Sequence, residues 1–216
     1  MQRDRVAGIA LIAGALVPLL VIGMHPTGHD LISDGAAQHQ AMVNRLVHSI
    51  MLAAQPVLFL GLLGLSRYLG WSPLPTAALV VYGFGIAAVL SAAVVSGFVA
   101  PGVIERVGSA ESGAEPTYQA LLVYSGLLNQ GFAKVYVVSS GVAIMLWSAA
   151  IWAAARLSRT AAVLGLLAGA ALALGVVSGH LRLNVHGIVV VSLLQALWLV
   201  LVGGQLFTAA PVASNA

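Results

Sequence analysis

The side chains in this sequence best suited to chemistry at neutral pH are its six histidines, His25, His29, His39, His48, His180 and His186. Imidazole changes charge near neutrality and is the commonest metal ligand. The densest group is His25-Pro26-Thr27-Gly28-His29-Asp30. Pro26 and Gly28 impose a turn there, which lets side chains four apart converge without a helix. Further along, Gln40, Asn44, His48 and Gln55 recur at near-helical spacing and share one helix face. His180 and His186 bracket a short hairpin. If these segments meet, His25, His29, His48, His180 and His186, assisted by Asp30, form a donor set for a zinc or copper ion. Met24 and Met42 lie close by and would suit copper(I). With one coordination position open, such a metal would activate water or polarise a lipid-borne group.

A single haem b is the alternative cofactor. His48 and either His180 or His186 would be its axial ligands, with Arg45 and Arg182 on its propionates. The two-haem arrangement of transmembrane b-type cytochromes is excluded, because it needs histidine pairs at both membrane faces. The same residues also have plainer roles. His25 and His29 suit an interfacial loop, His180 and His186 a solvated hairpin. The stripe ending at Gln55 suits interhelical hydrogen bonding, and Lys134, the single lysine, suits a headgroup contact. The metalloprotease HExxH pattern, the P-loop, the GxSxG elbow and the Rossmann glycines are all absent.

The elements that must position these residues follow from composition. The chain has 216 residues, 60% apolar and 7% charged, and a mean hydropathy of +1.01. A soluble domain carries about 25% charged residues. The few charges here cannot coat a globule in water, so a soluble enzyme, a disordered chain and a nucleic-acid binder are excluded. The net charge of +3 comes from scattered arginines with no basic run. The absence of cysteine excludes disulfides, thiolate metal sites and cysteine nucleophiles.

The sequence therefore reads as an all-α integral membrane protein of one domain, 1–216, with the lipid bilayer as its partner. Its expected form is a bundle of six transmembrane helices at about residues 6–24, 46–65, 76–100, 135–155, 160–179 and 187–207, since a span needs roughly 20 apolar residues. The first run is too long for a secretory h-region and reads as a retained anchor. Residues 25–45 read as a polar loop, and Pro101-Gly102 as the end of span three. Pro56 is expected to kink span two. Thr117–Ala155 exceeds one span. Its first part therefore reads as an extra amphipathic outer helix before span four, lying on the membrane or continuing above it. The Gly165–Gly169 pair reads as a helix contact face.

Arg3, Arg5, Arg67, Arg156 and Arg159 fall on one side of this topology, in short segments. Arg45, Arg106, Lys134 and Arg182 fall on the other. The bias places both termini in the cytoplasm and every histidine on the outer, periplasmic face of a cell inner membrane. Titration of those imidazoles would make that face acid-sensitive. Three functions compete on this reading. The first is an outer-facing metal site. The second is a single-haem electron-transfer or sensing subunit. The third is a non-catalytic accessory, lipid-binding or small-solute transport protein. Small residues in spans three and five permit a homo-oligomer or a place in a larger membrane complex.

Overall fold

The computed structural model describes residues 2–24, 37–107 and 115–209. His25, His29 and Asp30, half of the expected metal set, lie outside the described residues. Among those residues the regular elements are all helical. They are α1 (Gln2–Ile22), α2 (Ala37–Leu69), α3 (Pro73–Val94), a π-helical turn (Val95–Val99), α4 (Ala100–Val107), α5 (Glu115–Ala154), α6 (Arg159–Val177) and α7 (Val185–Thr208). The π-turn joins α3 to α4 without a break, and among the described residues six stretches are long and apolar enough to cross a membrane. The chain is a polytopic membrane protein. Its backbone is helical because bilayer hydrocarbon offers no partner for a peptide group, and a helix satisfies its own.

Local signals set the ends. Pro73 and Pro75 stand in the first turn of α3, where proline is tolerated because that turn's N–H groups have no intrahelical acceptor. Ser158 Oγ accepts from the Ala161 amide at the start of α6, and Asn184 Oδ1 accepts from the Gly187 amide at the start of α7. Gly70 and Gly179 follow α2 and α6 with φ of +89° and +76°, the left-handed geometry that glycine tolerates at a helix end.

Three expected boundaries move. Helix α2 begins at Ala37, so the last part of the expected polar loop is helical, and it runs unbroken through Pro56. Span three does not close at Pro101, which sits inside α4. A proline ring strikes the carbonyl four residues back, here Gly97, and the wider π-turn over Val95–Val99 relieves that collision. The helix expected before span four is continuous with it. The 40 residues of α5 form one rod, about 60 Å long at 1.5 Å per residue and twice the roughly 30 Å hydrocarbon core.

The bundle is built as two layers. Helix α1 lies between α2 and α7, and α5 lies between α3 and α6. The layers meet along α2 with α3 and, more loosely, along α6 with α7. Small residues bring the helices of a layer close together. Gly8 faces Gly203 and Phe207, Gly14 faces Leu58, and Gly64 faces Ala7. In the other layer Gly169 rests on Gly141 and Met145, so the expected Gly165–Gly169 face is a contact face.

We call the end where α1 begins and α7 finishes the base, and the opposite end the mouth. In the base half, large side chains fill the space between layers. Trp147 is fully buried, with its ring 6.4 Å from Trp198 and 5.8 Å from Tyr82. Its indole N–H donates to Ser66 Oγ at 2.8 Å, and that of Trp198 donates to the Ala161 carbonyl at 3.1 Å. The loop joining α5 to α6 is fixed at the base by Gln205, which exchanges hydrogen bonds with Ser158 at 2.8 Å.

Candidate functional site

In the mouth half the layers part around a cavity of about 340 Å³. Helices α1, α2, α3, α5 and α7 and the π-turn line it, while α6 does not. Its volume lies at the small end of the ~300–1,000 Å³ usual for ligand pockets. The walls are mostly apolar, with Ala15, Leu19, Leu58, Val137 and Leu199 among them. None of the described lining residues is Asp, Glu, Lys or Arg. The polar lining is amide, hydroxyl and imidazole: His48 and Gln55 from α2, Ser96 from the π-turn, Asn129, Gln130 and Tyr136 from α5, Asn184 before α7, and Ser192 and Gln195 from α7.

Helix α2 buries three of the four residues of the expected stripe and leaves Gln40 half-buried. Asn44, His48 and Gln55 are buried in the bundle, because polar groups facing lipid are costly. Asn44 Nδ2 donates to the Ser96 carbonyl in the π-turn at 2.7 Å. The Nδ1 of His48 stands 2.8 Å from the Asn44 carbonyl. A carbonyl carries no proton, so Nδ1 holds the hydrogen and the lone pair of the neutral ring is on Nε2. Gly97 makes this fit, since a Cβ there would come within 2.5 Å of His48 Cβ. Gln55 is only 6% exposed, and its carboxamide oxygen has no hydrogen-bond partner among the described residues.

The wall opposite is a relay of side chains. The Tyr136 hydroxyl donates to Gln195 Oε1 at 3.0 Å. Gln195 Nε2 donates to Ser140 Oγ at 2.8 Å, and Ser140 donates to the Val137 carbonyl at 3.1 Å. Gln130 Nε2 donates to the Leu183 carbonyl at 2.9 Å, tying the outward part of α5 to the loop before α7. Gln195→Leu leaves the Tyr136 and Ser140 hydroxyls short of a partner, and we expect it to destabilise the bundle by about 1 kcal/mol, within the range of side-chain hydrogen bonds in membranes. Titration with sodium dodecyl sulfate in mixed micelles measures it, and an unchanged midpoint would show the relay to be idle.

Of the residues expected to hold metal or haem, the described structure brings His48 to the cavity. His180 is exposed and its Nδ1 lies 2.9 Å from Ser178 Oγ. His186 is exposed in the first turn of α7, and neither lines the cavity. Arg45 reaches Glu105 at 2.7 Å, pinning α2 to α4 at the mouth, and Arg182 is exposed. Among the described residues no three of His, Asp and Glu come together as a metal group. The relay of Tyr136, Ser140 and Gln195 escaped the sequence reading, since Tyr136 and Gln195 each stand singly in an apolar run and Ser140 has only Ser139 beside it. Their signal was that isolation itself, because an unpaired Gln in hydrocarbon requires a partner. Comparison with known proteins gives no match to a family model, a curated protein or a solved structure.

Proposed function

We propose that this polytopic protein binds a small uncharged amphiphile in the mouth-half cavity, as a lipid-binding or small-solute protein of the membrane. The observation that carries this reading is the cavity wall, apolar with a few convergent polar groups and without a charge among the described residues. A charged ligand buried there would lose hydration with no counter-charge to replace it. The orientation that goes with this reading sets the base in the cytoplasm. Arg5, Arg67, Arg156 and Arg159 stand at the base, next to short connections, which supports it.

The test uses 1-aminoanthracene, whose emission changes on entering an apolar site, with protein in phosphatidylcholine nanodiscs. We expect saturable binding, weakened at least about tenfold by Ala133→Trp, which puts a large ring on the cavity wall. Non-saturable partitioning, equal in wild type and variant, would overturn the reading.

A metal ion or haem at the mouth is the second reading, favoured by His48. The carbonyl that holds its Nδ1–H orients Nε2 in the way proteins aim ligating histidines. Zinc or copper would take His25, His29, Asp30, His180 or His186 as further ligands. A haem would take His180 or His186 across from His48, with Arg45 and Arg182 on its propionates. Metal analysis and the Soret region of the purified protein decide between these and the first reading.

A further inference from the structure

The lining of the cavity is graded along the bundle axis. Helices α2 and α5 descend from mouth to base, and α1 and α3 rise from base to mouth. At the mouth end the lining is mostly polar, with His48, Ser96, Asn129, Gln130 and Asn184. At the deep end it is apolar, with Ala15 of α1, Leu58 of α2, Val89 of α3 and Leu199 of α7. Gln55, Ser192 and Gln195 stand between the two, and the Tyr136 hydroxyl is bonded to Gln195 at that level. Below the floor Leu11, Leu62, Trp147 and Val202 are fully buried and close the way to the base. The space is therefore a well. From His48 to Leu58 it is about 15 Å deep, at 1.5 Å of rise per residue. A water molecule's share of the liquid is ~30 Å³, so about 340 Å³ holds roughly eleven groups of that size, the size of a methylene.

Resting on the proposed function, we infer that the occupant is a single-chain amphiphile of medium length, about ten carbons, seated with its tail toward the base and its uncharged head in the polar ring at the mouth. The tail lies against Ala15, Leu58, Val89 and Leu199, and the head meets the carboxamides of Asn129, Gln130 and Asn184. A chain seated the other way would bury its head against that aliphatic floor and lose hydration without replacement. Two such chains do not fit the volume. The floor therefore sets the length of the ligand, while the mouth ring sets its direction.

The experiment is displacement of 1-aminoanthracene from the full chain in phosphatidylcholine nanodiscs by primary amides from hexanamide to tetradecanamide. Empty nanodiscs are subtracted, and affinities are referred to the free aqueous concentration. We expect affinity to rise about fourfold per added methylene, the factor that about 0.8 kcal/mol supplies, and to level off near about ten carbons. Ala15→Phe raises the floor and should move that plateau to shorter chains by at least about two carbons, and Leu199→Ala deepens the well and should move it as far the other way. Asn129→Leu should weaken every amide by the same factor, about threefold for one side-chain hydrogen bond in a membrane, and leave the plateau in place. Affinity that climbs through tetradecanamide, or a plateau that neither floor variant moves, overturns the well. A plateau shifted by Asn129→Leu overturns the orientation. No displacement by any amide, with 1-aminoanthracene still bound, overturns this inference alone, whereas no saturable 1-aminoanthracene binding overturns the proposed function itself.

Discussion

Trp147→Ala lowers the stability of the bundle by about 3 kcal/mol, the largest single loss we expect. Truncating a buried aromatic in a water-soluble core costs about 3–5 kcal/mol, part of it the lost transfer from water. In a bilayer that transfer part is smaller, because the competing environment is also hydrocarbon, so the lower end applies. What remains is packing. The indole stacks on Trp198, meets Tyr82 at 59° and donates to Ser66. Those contacts join residues of three other helices, Tyr82 within the same layer and Ser66 and Trp198 across the gap, and alanine leaves a void where the layers are otherwise closed. Trp147→Phe keeps a ring and loses the hydrogen bond, and should cost about 1 kcal/mol. Detergent titration of both variants measures the ordering. A Trp147→Ala loss below that of Trp147→Phe would show that the base half is not held by this ring.

Gly97→Ala is expected to cost about 2 kcal/mol, as overpacking does. One methyl group would fall within 2.5 Å of His48 Cβ and 2.8 Å of His48 Cγ. These are the first atoms of the side chain, so no rotamer removes the clash and α2 must move off the π-turn. Asn44 would then lose its bond to the Ser96 carbonyl, and the cavity wall beside Ser96 would shift. Binding of 1-aminoanthracene should weaken in the same variant. His48→Gly removes the opposing Cβ, so the methyl group should cost almost nothing when added to that background. The double-mutant cycle isolates this one contact. Additive losses would place the cost of Gly97→Ala elsewhere.

These two sites differ in how far the sequence announces them. Apolar runs broken by Arg67, by Trp71 to Pro75 and by Arg156 with Arg159 mark the base ends of the spans, and the helices do end there. The mouth ends were harder to read. Hydropathy falls where lipid stops, but backbone hydrogen bonding does not, so α2, α4 and α5 continue past the expected limits. Pro101 reads as a stop in one dimension, and only the π-turn before it shows how the helix passes. The stripe of Asn44, His48 and Gln55 was legible because a period of 3.6 puts these residues on one side. Their partners, Ser96 and Gly97, carry no pattern of their own. Which residues of α5 and α7 stand across from them depends on the pairing of layers, and a linear sequence does not record that. The expected meeting of histidines depends in part on His25, His29 and Asp30, outside the described residues.

Helix α1 has as its neighbours α2, made next, and α7, made after all the other described helices. During synthesis the seam of Gly8 with Gly203 cannot form until α7 has left the ribosome. The other trio, α3, α5 and α6, is complete before α7 emerges. Assembly of α1 with α2 and α7 therefore follows that of the other trio, and until α7 emerges the first helix stands with one flank open to lipid. A truncated product ending before α7 would keep that flank bare, with the glycine trough that normally receives α7 turned to the bilayer, a natural target for membrane quality control.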